Sequence, residues 1–235
     1  MKILVWSDFQ CPFCYMGEKM LENVLSSMEL SEPVEIEYKS YQLDPLAPRV
    51  PVESMTEHFM SGHDMDVAAA EARMEQITHM ASKVGLKYNL PGVKVCNTMD
   101  AHRLMKFGAQ RLSPGKLKKL NFNLFKANFE DNLLLSDHNV LAEIAVTVGL
   151  EREEVRRMLQ TDAYVKAVCH DQDEIDARTD FEFVPYMLLD NGSVLQGVMK
   201  EPELSEWLKD SMANKESSES FTTTREGCGP KGCAI

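Results

Sequence analysis

Two cysteines, Cys11 and Cys14, sit in the run Asp8-Phe9-Gln10-Cys11-Pro12-Phe13-Cys14-Tyr15 and carry the clearest chemical signal in the chain. A thiol pair at this spacing can cycle between dithiol and disulfide. Pro12 suits the first position of a helix, where its missing N–H would have had no partner anyway. Cys11 then lies at the helix mouth, facing unsatisfied backbone donors and the positive end of the helix dipole, a field that favours thiolate over thiol. These features mark Cys11 as an exposed nucleophile and Cys14, one turn further in and turned inward, as the resolving thiol that closes a disulfide and releases the partner. Two other chemistries share the spacing. C-x-x-C is also half of a zinc site, and the pair could be a structural disulfide. The zinc reading wants a second close pair, and the remaining candidate is Cys228 with Cys233 at the far end of the chain.

The elements that must position these thiols are legible on both sides. Residues 2–7 are apolar and β-prone around Val5 and Trp6, and Ser7-Asp8 forms a short polar turn into the helix. Pro33 breaks that helix, and Val34-Glu35-Ile36-Glu37-Tyr38 alternates at period two as a second strand. A right-handed crossover lays the two strands parallel and leaves the cysteines at the carboxyl end of the first, where open α/β sheets keep their chemistry. Strands return late: Phe183–Leu189 is a buried run, Asp190-Asn191-Gly192-Ser193 a hairpin turn, and Val194–Val198 the answering strand. A last helix spans Glu201 to Met212, with Pro202 near its start.

Between these halves, Pro45, Pro48 and Pro51 mark a loop, and helical periodicity then takes over. Met74, Ile77, Ala81 and Val84 share a face, as do Ala101, Leu104, Met105 and Gly108, then Leu117, Leu120, Leu124 and Phe125, then Leu141, Ile144, Ala145 and Val148. Asn97 or Thr98 caps one of these helices. The fold class expected is α/β: a thioredoxin-like βαβ…ββα fold with a large inserted all-helical domain. Residues 1–50 and 180–213 would form the thioredoxin-like domain and residues 51–179 the insertion. Residues 214–235 would be a flexible tail ending in the C-x4-C motif of Cys228 and Cys233, where Gly229-Pro230-Lys231-Gly232 suits a tight turn that lets the two close their own bridge.

The composition excludes several functions. The chain has 235 residues and a net charge of −12, with no basic cluster to match a nucleic-acid backbone. No run approaches transmembrane length, so no membrane partner is expected. Met1-Lys2 runs straight into a strand without a signal-peptide core, which makes the expected location cytoplasmic, a reducing compartment where C-x-x-C is catalytic more often than structural. His102 reads as a polar helix residue, Cys169 as a buried inert thiol beside Val165 and Val168, and Cys96 as partly exposed.

Several segments together resemble DsbA-like thioredoxin-fold proteins, within them the FrnE-like branch related to 2-hydroxychromene-2-carboxylate isomerases. The matching pieces are Asp8 to Tyr15 with Gly17, Tyr41-Gln42-Leu43-Asp44-Pro45, Asn97-Thr98 with Ala101-His102-Arg103-Leu104, Leu124-Phe125 to Phe129, Gly149-Leu150 and Val184-Pro185. The resemblance implies thiol-disulfide chemistry with no cofactor beyond the redox-active disulfide, and no metal. It implies that Val184 and Pro185, with Pro12 and Phe13, form the substrate-binding surface, and that Val184-Pro185 is the cis peptide facing the cysteines. It also implies that Cys228 and Cys233 are a second redox pair. The partners would be protein thiols and disulfides or glutathione, with a cytosolic reductant, acting on a monomer or homodimer. Two alternatives stand beside it: a glutathione-dependent isomerase or transferase, whose relatives carry Ser at the first motif position, and a zinc-holding or chaperone-like protein with a four-thiolate site. The chain departs from the family pattern at Phe183, where a glycine is frequent, and at Gly197-Val198-Met199.

Overall fold

Ile3 and Val5 point to one face of the first strand and Trp6 to the other, and all three are buried. A strand covered on both faces belongs at the centre of a sheet. In the computed structural model this strand, β1 (Lys2–Ser7), is an interior strand with a neighbour on each side. The structure describes residues 1–30, 33–213, 220–221, 227–229 and 232–234.

Helix α1 (Pro12–Ser27) follows and returns the chain to β2 (Glu35–Ser40), which lies parallel to β1 with Ile3 opposite Ile36 and Val5 opposite Tyr38. On its other side β1 takes β3 (Tyr186–Leu189) antiparallel, with Val5 opposite Met187. The expected turn then forms: Gly192 adopts φ +89, its N–H donates to the Leu189 carbonyl at 2.9 Å, and the Ser193 N–H donates to Asn191 Oδ1 at 3.0 Å. It leads into β4 (Val194–Gln196). A short β5 (Ser220–Phe221) extends the sheet parallel to β4, so the order is β2-β1-β3-β4-β5. Helix α9 (Glu201–Ala213) packs along α1, with Asn23 Nδ2 donating to Glu201 Oε1 at 2.9 Å. The thioredoxin-like α/β arrangement read from the sequence is the one that forms.

The helical block comprises α2 (Met55–His63), α3 (Val67–Lys83), α4 (Met99–Ala109), α5 (Pro114–Phe129), α6 (His138–Val146), α7 (Arg152–Leu159) and α8 (Val165–Asp176). A capping box starts α2: the Ser54 side chain accepts from the Glu57 N–H, and the Glu57 carboxylate accepts from the Ser54 N–H. At α4, Thr98 is the cap position but its side chain makes no capping bond; the Asn97 side chain accepts from the Met99 N–H at 2.9 Å instead.

The chain divides into two compact units, Met1–Leu43 with Asp171–Ile235, and Asp44–His170. The helical unit therefore both starts and ends earlier in the chain than the 51–179 expected. Asp171 explains the later boundary: its buried carboxylate accepts from the Ser40 N–H at 2.7 Å, and its carbonyl accepts from Trp6 Nε1 at 2.9 Å. These bonds tie the last turns of α8 to the ends of β1 and β2, and no periodicity in α8 announces them. The expected strand at Phe183 begins only at Tyr186.

The tail also departs from expectation. The expected flexible tail of residues 214–235 falls mostly outside the described residues, but within it Ser220–Phe221 form β5, and β6 (Gly227–Gly229) and β7 (Gly232–Ala234) pair antiparallel with Cys228 opposite Cys233. The turn expected at Pro230 and Lys231 lies outside the described residues.

Candidate active site

The carboxyl end of β1 feeds a loop organised by Asp8. This buried side chain accepts from the Gln10 N–H at 3.2 Å and the Leu43 N–H at 2.7 Å, while its carbonyl accepts from the Cys11 N–H at 3.0 Å. The loop delivers Cys11 to the N-cap of α1 with Pro12 following as the first helical residue, the placement expected from sequence. Cys14 enters the first turn, its N–H donating to the Cys11 carbonyl at 3.1 Å.

Both thiols are free and both are wholly buried, at 0% exposure. For Cys14 this is the inward placement expected; for Cys11 it is a correction. Cys11 Sγ lies 3.8 Å from the Val184 carbonyl, toward which its thiol points. Phe13 is also fully buried, so its side chain belongs to the core, a correction to its reading as substrate surface, and Pro12 is buried beside it. Burial above all pushes the Cys14 thiol well above its ordinary value; a hydrogen bond with Cys11, the Cys11 charge and the nearby Glu18 carboxylate add to it, and a bond with the Asp8 backbone opposes them.

The Val184–Pro185 peptide bond is cis. Two contacts from neighbouring elements hold this segment. On α1, a β-carbon added at Gly17 would lie 2.8 Å from Pro185 Cγ, so the helix and the proline approach as closely as glycine allows. On β4, the buried Gln196 side chain accepts from the Glu182 N–H at 2.7 Å and the Phe183 N–H at 3.1 Å, and donates to the Asp180 carbonyl at 2.6 Å. The Pro185 carbonyl accepts from the Gly197 N–H at 2.9 Å.

The backbone of Val184 makes an antiparallel bridge with Cys228: Val184 N–H donates to the Cys228 carbonyl at 2.8 Å, and Cys228 N–H donates to the Val184 carbonyl at 3.1 Å. One carbonyl thus faces both Cys11 Sγ and the Cys228 backbone, and β6 packs against α1. Cys228 is buried and disulfide-bonded. The structure therefore gathers Cys11, Cys14, Val184, Pro185 and Cys228 in one place, with Cys233 opposite Cys228 in register.

The remaining candidates lie elsewhere. Cys169 is exposed rather than buried, and Cys96 buried rather than partly exposed; the apolar neighbours that suggested burial for Cys169 sit in a helix whose register turns it to solvent. His102 is buried within α4, and α4 belongs to the unit Asp44–His170 rather than to the unit that holds the cysteine pair. Among the described residues no group of three or more His, Cys, Asp or Glu side chains is arranged to hold a metal ion. Sequence reasoning missed Asp8, Glu18 and Gln196. Asp8 and Glu18 flank the cysteine pair closely enough to be suspected, whereas a lone Gln at the end of a strand carries no such signal.

The sequence profile of the DSBA-like thioredoxin domain matches residues 2–209. An uncharacterized protein of Bacillus subtilis, YwbO, is 26% identical over 180 residues, 74% of this chain and 81% of that one. The crystal structure of a probable DsbA oxidoreductase from Streptomyces coelicolor is 28% identical with a TM-score of 0.83, and the match covers 100% of this chain and 99% of the other. A 2-hydroxychromene-2-carboxylate isomerase shares the fold at 14% identity and a TM-score of 0.62, covering 91% of this chain and 95% of its own.

Proposed function

The chain belongs to the DsbA-like thioredoxin family, and we propose that it is a thiol-disulfide oxidoreductase in which Cys11 is the nucleophile, Cys14 the resolving thiol and Cys228 with Cys233 a second dithiol that exchanges with them. The observation that carries the reading is the backbone bridge between Val184 and Cys228 beside the Cys11 thiol: a disulfide-bonded cysteine already paired, in extended conformation, to the carbonyl that Cys11 faces.

In the forward direction the Cys11 thiolate attacks one sulfur of a partner disulfide. An S–S bond forms to Cys11, the partner S–S bond breaks, and the second partner sulfur leaves as thiolate. Cys14 then loses its proton and attacks Cys11, forming the Cys11–Cys14 disulfide and releasing the partner fully reduced, a net transfer of two electrons. With the tail as partner, attack on Cys228 would release Cys233. The reverse sequence oxidises a dithiol. Burial raises the proton affinity of Cys14, so its attack on Cys11 requires that it first lose its proton.

The partners we assign are protein thiols and disulfides or glutathione, with a cytosolic reductant, and the setting is cytoplasmic. Among the described residues no helix is long and apolar enough to cross a membrane. The isomerase reading loses support from Cys11 itself, a thiol where those relatives carry Ser.

Equilibration in glutathione redox buffers with mass mapping of cysteine pairs tests the proposal. The expected products are Cys11–Cys14 and Cys228–Cys233 disulfides, and a trapped Cys11–Cys228 adduct in Cys14→Ser. Absence of any Cys11–Cys14 disulfide across the buffer range would overturn it.

A further inference from the structure

The same bridge has a steric feature that the thiol chemistry does not require. β6 enters the edge at Gly227, which is buried. A β-carbon built there would lie 2.7 Å from Phe183 Cβ, 3.2 Å from Phe183 Cγ and 3.1 Å from the Val184 carbonyl oxygen. Side-chain rotation can move Phe183 Cγ aside but not Cβ, whose position is set by the backbone. That backbone is pinned, because the Phe183 N–H donates to Gln196 Oε1 and both polar groups of Val184 are in the bridge. Relief of the clash must therefore come from the incoming strand, at the expense of the two bridge bonds that set its cysteine beside Cys11.

Building on the oxidoreductase reading above, we propose that Phe183 makes this edge selective for extended peptides whose reacting cysteine is preceded by glycine, and that the chain's own Gly227-Cys228 is the resident such peptides must displace. Tail and external partner use the same two backbone groups of Val184, so they exclude each other. The partner class is an extended or unfolded protein segment carrying a Gly-Cys step. Selection acts one residue before the sulfur and needs no contact with the side chains beyond it.

The test uses the full-length chain carrying Cys14→Ser, Cys228→Ser and Cys233→Ser, which leaves Cys11 unable to resolve or to exchange with the tail. The probes are Ser-Gly-Cys-Lys and Ser-Val-Cys-Lys peptides, each activated as a mixed disulfide with 5-thio-2-nitrobenzoate. The Cys11 thiolate attacks the peptide sulfur, the peptide–nitrobenzoate S–S bond breaks, and the nitrobenzoate thiolate leaves and is followed by absorbance; mass mapping confirms the Cys11 adduct. The Gly-Cys peptide should react about tenfold faster or more, the scale of a one-atom overpacking clash. Because the close atom is Cβ, Phe183→Ala should keep this ratio and Phe183→Gly should bring it toward one. The ratio is internal to each variant, so a reduced folded fraction does not change it. Gly227→Ala, which undocks the tail, should raise the Gly-Cys rate several-fold. Equal rates for the two peptides on the parent chain, a ratio that survives Phe183→Gly, or no gain from Gly227→Ala would overturn the inference while leaving Cys11 chemistry standing. No Cys11 adduct with any peptide would remove the oxidoreductase reading and the inference with it.

Discussion

The two thiols differ in what surrounds them, and their reactivities should differ accordingly. Cys14 is held protonated by burial, by Cys11 and by Glu18, and thiolate is the species that alkylates. At neutral pH, iodoacetamide should label Cys11 ahead of Cys14, and peptide mapping should find Cys169, which is exposed, labelled as well. Labelling of Cys14 first would reverse the assigned roles. The C-x-x-C spacing and the proline between were enough to locate this pair, because a helix mouth acts on whatever residue stands there. The burial of Cys11 was not readable from the same run, because it is set by tertiary packing, in which a strand more than two hundred positions later in the chain packs against α1.

Two elements, α1 and β4, fix the segment before Pro185 from opposite sides. Gly17 on α1 leaves no room for a β-carbon against Pro185, so Gly17→Val should destabilise the chain by about 1–3 kcal/mol, read as a shift in the denaturant midpoint, and should slow mixed-disulfide formation. An unchanged midpoint would mean that the proline moves freely. On β4, Gln196→Leu removes the acceptor for the Glu182 and Phe183 N–H groups. Leaving them unpaired costs about 1–3 kcal/mol, and hydrogen exchange at those two amides should accelerate; protection equal to wild type would rule out this role. Strand and helix periodicities revealed that these elements exist. They did not reveal which face of α1 meets the proline, because Gly17 has no side chain to register in a periodicity and Gln196 reads as an ordinary strand residue.

For the chain as a whole, the pH limits of stability follow from groups in each unit. The Cys14 thiol has its folded value raised above its usual 9.0, and burial first, with help from the Asp176 and Asp8 charges, pushes Tyr41 from 10.0 up to about 12. Groups raised on folding stabilise fully below their unfolded values and lose that contribution as pH rises through the folded ones. The reduced protein should therefore begin to lose thermal stability above about pH 9, and the Cys11–Cys14 disulfide form, lacking the Cys14 titration, only above about pH 10. Coincident onsets in the two forms would contradict the Cys14 assignment. In the helical unit, burial alone would raise Asp100, but hydrogen bonds from His138 and Arg103 and the charge of Arg49 outweigh it and hold the carboxyl below 3.8. Its contribution is present above that value and is lost as pH falls through the folded one. Arg103, buried beside it, also donates to the carbonyls of Met158 and Ala163 after bonding Asp100 at 2.6 Å. Asp100→Asn should cost about 3–5 kcal/mol by leaving that guanidinium without its anion, measured by denaturant unfolding, and a loss within error of zero would show that the buried Arg103 does not depend on the carboxylate.

The βαβ opening, the Asn191-Gly192 hairpin, the helical faces of the block and the location of the redox pair were all legible in the amino-acid order, because each rests on a period, a spacing or a turn chemistry confined to a few neighbouring residues. Asp171 joining the sheet, Cys169 facing solvent, Cys11 becoming buried and β6 settling on Val184 were decided only by the tertiary structure. The physical reason is the same for the pairing that matters most. The bridge between Val184 and Cys228 is made of main-chain N–H and C=O groups that nearly every residue carries alike, so no residue type announces which edge a distant strand will choose; that choice falls to the steric fit of Gly227 against Phe183 and to the packing that brings them together.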